Sequence, residues 1–83
     1  MIQIRYFGVL QTELNTASEQ LAWQDGASTD ELLMLLRSRG EPWFSSLASE
    51  RIFKIAVNRQ LIHQSVPIPE NAEVGFLPPV TGG

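Results

Sequence analysis

Few side chains in this sequence are equipped for chemistry, and their spacing narrows the choice. Cysteine is absent, which rules out a thiol nucleophile, a disulfide and a Cys-ligated metal or cluster. His63 is the single histidine; alone it cannot build the usual N/S metal site, and it reads as a surface-loop residue. Ser45-Ser46 has no paired base. Gly8, Gly26, Gly40 and Gly75 stand isolated, so there is no glycine-rich phosphate loop. Acidic residues fall at turns and helix ends, where capping accounts for Asp30 and Glu31. What remains is the last stretch, Pro78-Pro79-Val80-Thr81-Gly82-Gly83, and the carboxylate expected on Gly83.

Two prolines lock φ and lack N–H donors, so they can end a strand but not sit inside one. Beyond them, Val80 to Gly83 would reach roughly 13 Å at about 3.3 Å per residue. Glycine lacks a Cβ and bends where other residues cannot. The expected result is a thin tail able to enter a narrow channel. Chance puts two glycines at a chain end about once in 200, so the pair gains weight only from a compact domain that presents it. A carboxylate is a poor electrophile until it is adenylated, because AMP is a good leaving group. A sulfur nucleophile then gives a thiocarboxylate; a thiol or amine gives a thioester or amide. With no nucleotide site in the chain, an external enzyme must do the activating.

The rest of the sequence must build that domain. Its 83 residues, 43% hydrophobic and 18% charged, suit one small globular unit over 1–77 with a tail over 78–83. A net charge of −3 and six scattered basic residues, of which only Arg37 and Arg39 are close in sequence, argue against nucleic acid. No apolar run approaches the roughly 20 residues of a membrane span. No signal peptide is evident at the start, so a cytoplasmic location is expected.

Alternation over Ile2–Phe7 predicts a strand with Ile2, Ile4 and Tyr6 inward and Phe7 outward. Val9–Leu14 predicts a short helical turn, with Asn15 at its left-handed exit. Leu21 and Trp23 share one face of a second strand over 19–24, and Asp25-Gly26 is a turn. Ser28 and Glu31 form a capping box opening the main helix. Its Leu32, Leu33, Leu35 and Leu36 are expected in the core, with Met34 and both tryptophans in the core or at its rim. Pro42 opens a second short helix, with Trp43, Phe44 and Leu47 on its apolar side. Phe53, Ile55 and Val57 mark a third strand, turning at Asn58-Arg59-Gln60 into Leu61-Ile62. Val66 and Ile68, flanked by prolines, read as edge structure at most. Residues 70–73 turn into a last strand over 74–77, with Val74 and Phe76 inward and Leu77 outward. Two strands, a helix and further strands form an α+β mixed sheet of about five strands packed on one main helix: the β-grasp, or ubiquitin-like, arrangement.

Three stretches together resemble the sulfur-carrier small subunit of molybdopterin synthase. They are Met1-Ile2-Gln3-Ile4-Arg5-Tyr6-Phe7-Gly8, Ala56-Val57-Asn58-Arg59-Gln60-Leu61, and Glu73-Val74-Gly75-Phe76-Leu77-Pro78-Pro79-Val80-Thr81-Gly82-Gly83. The resemblance spans the chain, and its Pro-Pro-Val-Thr-Gly-Gly ending is the most specific part. Residues 21–51 hold no diagnostic motif, and Asn15 stands where many relatives have glycine. Thiamine sulfur carriers share the Gly-Gly end but are typically shorter and lack the Pro-Pro approach.

The resemblance implies a subunit that is no enzyme on its own and binds no cofactor. An E1-like enzyme using ATP and Mg²⁺ would adenylate Gly83, and a sulfur donor protein would help convert it to a thiocarboxylate. The tail, Pro78 to Gly83, would enter the synthase large subunit and pass sulfur to cyclic pyranopterin monophosphate. Two charged carriers would be consumed per dithiolene, within a heterotetramer of two large and two small subunits. Strand phase adds an expected docking patch of Phe7, Leu61 and Leu77 for both partners. A ubiquitin-like protein modifier, a carrier for thiamine synthesis and a non-reactive binding module are the competing readings.

Overall fold

Residue alternation builds β1 (Ile2–Tyr6): Ile2, Ile4 and Tyr6 are buried on one face, and Gln3 and Arg5 point the other way. The computed structural model describes residues 1–78. Helix α1 (Val9–Leu14) buries Leu10 and Leu14, one turn apart, and Asn15 ends it at φ 51°, in the left-handed region that Asn tolerates better than most residues. Strand β2 (Ser18–Leu21) pairs antiparallel with β1. It is shorter than the alternation predicts, because Trp23 leaves the ladder and its indole Nε1–H donates to the Ile68 carbonyl at 3.0 Å.

The main helix α2 (Thr29–Arg37) begins at the expected capping box. The Glu31 amide donates to Ser28 Oγ at 3.1 Å, and the Ser28 amide donates to Glu31 Oε2 at 2.7 Å. Two otherwise unpaired donors are thus satisfied at the helix start. Leu32 and Leu36, four apart, are fully buried. Two expectations fail on this helix. Leu35 is 45% exposed and Met34 is 68% exposed, because one buried side allows a narrower stripe than four leucines suggest. Leu33 only packs against the core margin, as do Trp23 and Trp43. On α3 (Trp43–Ser46), Phe44 is also exposed rather than apolar packing, while Leu47 just beyond is buried.

Strands β3 (Lys54–Val57) and β4 (Gln60–Ile62) form a hairpin through Asn58 and Arg59, both at positive φ. Strand β5 (Glu73–Leu77) buries Val74 and Phe76. The sheet order is β2-β1-β5-β3-β4, with β1 and β5 parallel and the other pairs antiparallel. A mixed five-stranded sheet with one main helix on its inner face is the β-grasp fold. The first and last strands are central neighbours. The stretch around Ile68 forms no strand, only an isolated bridge at Pro67, yet Ile68 itself is a core residue. Its side chain is fully buried, and its backbone is fixed by bonds to Ala27 O and from the Gly26 amide. These contacts lie about forty positions away in the chain, so local proline content concealed a core residue.

Glu19 shares the inward parity of Ile4, its partner across the ladder. Tyr6 Oη donates to its carboxylate at 2.8 Å, and Arg39 donates to both carboxylate oxygens at 3.0 and 2.8 Å. The Arg39 guanidinium also lies over the Trp43 ring. This network ties β1 and β2 to the end of α2. Partial burial pushes the Glu19 carboxyl up, but the Arg39 and Tyr6 hydrogen bonds outweigh it and leave it below the ordinary 4.5. A depressed folded-state value stabilises the fold above the ordinary carboxylate range and loses that contribution as pH falls through it. Glu19→Gln should therefore lower the melting temperature at neutral pH and flatten its decline on acidification. Parallel acid and neutral melts for both proteins would show the network to be inert.

Candidate functional site

The outward side of the sheet is read from register. Across β1 and β5, Arg5 stands opposite Gly75; across β5 and β3, Gly75 stands opposite Ala56 and Leu77 opposite Lys54. Leu61 stands opposite Ala56 across the hairpin. Phe7, just past β1, donates its amide to Phe76 O at 3.0 Å. Its ring is thereby laid outward on the row that holds Gly75 and Leu77.

These residues enclose a shallow apolar trough of about 280 Å³, lined by Arg5, Phe7, Ala56, Arg59, Leu61, Glu73, Gly75 and Leu77. The three residues expected on a docking patch are thus brought to one place. Phe7 is 43% and Leu61 49% exposed. Leu77 is half-buried rather than open, because β5 is central and its outward side chains have neighbours on both sides.

Two glycines shape the surroundings. A Cβ on Gly75 would lie 3.2 Å from Phe7 Cε2 and 3.8 Å from Leu77 Cδ1. The bare Cα leaves room for Phe7 to lie across the strand. Gly8, at φ 59°, lies beneath Pro78: a Cβ there would fall 2.7 Å from Pro78 Cγ. Pro78 therefore leaves the sheet against Gly8, directly after Leu77. Pro79, Val80, Thr81, Gly82 and Gly83, the remainder of the expected reactive tail, lie outside the described residues.

Charged groups crowd one end of the trough. Glu73 accepts from Arg5 Nε at 2.8 Å and lies 3.5 Å from Arg59 Nε. The Arg5 hydrogen bond holds its carboxyl below the ordinary carboxylate range. Arg5, Ala56, Arg59, Glu73 and Gly75 were not singled out from sequence for this surface. Parity was the available signal, since Arg5 shares phase with Phe7, and Glu73 and Gly75 share it with Leu77.

A separate trough of about 400 Å³ lies between the start of α2 and the β3–β4 hairpin, with Asp30, Lys54 and His63 on its walls. His63 is exposed there, as a loop histidine should be. Among the described residues, no group of three or more His, Asp and Glu is placed to hold a metal ion. No described helix is long and apolar enough to cross a membrane.

The model of the ThiS family matches residues 4–83. The chain belongs to the ThiS family. A full-length relative of this ThiS-family chain is the molybdopterin synthase sulfur carrier subunit of Escherichia coli (strain K12), 28% identical over 83 residues and covering all of both chains. Among solved structures, a putative molybdopterin converting factor, subunit 1, from Pyrococcus furiosus superposes with a TM-score of 0.76 at 20% identity, covering 95% of this chain and 97% of that one. SAMP1 from Haloferax volcanii gives 0.74 at 15% identity, over 99% and 98%. At those identities the structural likeness is one of fold. Family and relative agree with the sequence resemblance at the level of a ThiS-family sulfur carrier.

Proposed function

We propose that this chain is the sulfur-donating small subunit of a molybdopterin synthase, with Gly83 as the carrier group. The observation behind this reading is that the central strand β5 runs past the apolar trough straight into the Pro78-Pro79-Val80-Thr81-Gly82-Gly83 ending. A partner seated on Phe7, Leu61 and Leu77 meets the root of the tail. The full-length likeness to a molybdopterin synthase sulfur carrier subunit supports the pathway.

In this reading the Gly83 carboxylate attacks the α-phosphate of ATP on an E1-like enzyme, which holds the Mg²⁺, and pyrophosphate leaves. Sulfur from a donor protein displaces AMP and leaves the thiocarboxylate. In the synthase large subunit that sulfur passes to cyclic pyranopterin monophosphate, and hydrolysis of the acyl bond returns the carboxylate. The chain supplies the carrier group, the reach and the docking surface, in a cytoplasmic heterotetramer with two large subunits.

Intact mass spectrometry of the chain from its native cells tests this. A species heavier by the difference between sulfur and oxygen is expected. Conjugates to other proteins in its place would make the chain a modifier. A thiocarboxylate consumed only in thiazole formation would make it a thiamine carrier.

The docking surface is tested separately. Phe7→Ala and Leu77→Ala should each weaken binding to both the large subunit and the activating enzyme by about 1 kcal/mol or more, as anchors in an apolar contact do. Near-native melting should accompany the loss. Unchanged titrations with both partners would leave the trough without this role.

A further inference from the structure

The cations that look scattered in sequence are sorted by the fold. Consider the outward positions of the five strands and the β3–β4 turn. Arg5 projects there by register, Lys54 shares that register position while also bordering the neighbouring trough beside Asp30, and Arg59 sits in the turn at the edge of the apolar trough. Of the nine acidic residues, Glu73 alone occupies this face. Three cations against one carboxylate make a formal +2. The other three, Arg37, Arg39 and Arg51, stand against eight carboxylates, a formal −5, which together give the chain's −3.

The one carboxylate is itself held by two of the three cations, since Arg5 and Arg59 both reach Glu73. Lys54 has no acidic partner within ion-pair distance among the described residues. The turn points the same way. Asn58 and Arg59 both have positive φ, 49° and 69°, a two-residue geometry whose second position ordinarily favours glycine. Here it holds an arginine whose side chain is 88% exposed.

We infer that the open sheet face docks proteins that set acidic side chains around an apolar pocket, with Arg5, Lys54 and Arg59 steering the encounter. The inference rests on the proposed function for the choice of partner. An acidic partner would otherwise be repelled by a chain of net −3. The cationic face orients the approach, and such complementarity acts on association rate more than on the final complex. A bare polyanion would satisfy the cations but offer nothing to fill the space between Phe7, Leu61 and Leu77.

The probe is the molybdopterin synthase large subunit of the same organism, with association and dissociation rates measured over a range of salt. For the unaltered chain the association rate should fall about tenfold or more from low to high salt. Lys54→Glu with Arg59→Glu should slow low-salt association about tenfold and abolish its salt dependence, leaving dissociation nearly unchanged. Lys54→Gln with Arg59→Gln should fall between, and Glu50→Lys, an exposed change off this face, should match the unaltered chain. Phe7→Ala should show the converse: faster dissociation with the salt dependence retained. Salt-independent association, or a charge-reversed pair that associates at the normal rate, overturns the inference while sulfur transfer, read by mass, continues. A large subunit that does not bind at all overturns the proposed function with it.

Discussion

A chain extended by one residue beyond Gly83 should lose sulfur transfer completely while melting normally. In the proposed chemistry the reacting carbon is the Gly83 carboxyl carbon. One added residue turns that carboxylate into an amide, which ATP cannot adenylate, and moves the new terminus beyond its working position. Proximity and orientation account for much of the rate of such reactions, and small misplacements cost orders of magnitude. Replacing Gly82 with a bulky β-branched residue should act differently but as severely, by thickening a tail that must enter a channel. Among the described residues the last buried side chain along the chain is Phe76, ahead of both changes in the sequence. Stability should therefore change by less than about 0.5 kcal/mol, as at surface sites. The measurement is thiocarboxylate formation by mass, followed by product formation with the large subunit. Normal turnover by the extended chain would sink the carrier reading.

The second large effect is expected in the core. Leu32 and Leu36 have no exposed surface, and they are the α2 side chains that close the helix over the sheet. Leu32→Ala or Leu36→Ala should each cost about 2–5 kcal/mol through lost transfer energy and the cavity left behind. Domains of this size have roughly 5–15 kcal/mol in total, and each kcal/mol moves the midpoint by about 4–8 °C. Leu35→Ala is the control: that side chain is 45% exposed, and alanine is the better helix former. Its melting should stay close to that of the unaltered chain. Equal losses for all three variants in thermal melts would mean that the helix buries a wider face than the structure shows.

That control exists because local pattern overstated the helix. Four leucines in five positions leave the buried side unresolved; only the sheet beneath decides that Leu32 and Leu36 go under and Leu35 does not. Phe44 and Met34 are exposed for the same reason, since hydrophobicity records what a side chain prefers and not whether a surface remains to cover it. At Ile68 local pattern says nothing of burial. Its neighbouring prolines argue against a strand, correctly, but a residue outside a strand can still be buried. Bonds to residues 26 and 27 hold it there.

What the amino-acid order determined was everything of short range. Strand phase in β1 and β5 follows from a period of two residues. The start of α2 follows from Ser28 and Glu31 three apart, and the left-handed exits at Asn15 and Asn58 follow from residue type. From these the β-grasp order and an outward Phe7 could be read. Tertiary structure decided which outward residues meet. Placing β5 between β1 and β3 brings Phe7, Leu77 and Leu61 around Gly75 and Ala56, and draws Arg5, Lys54 and Arg59 onto one face of an acidic chain. The physical reason is range. Phase is set by each residue's own backbone geometry, whereas convergence depends on register between strands up to seventy positions apart, and a local pattern holds no record of which strand will be the neighbour.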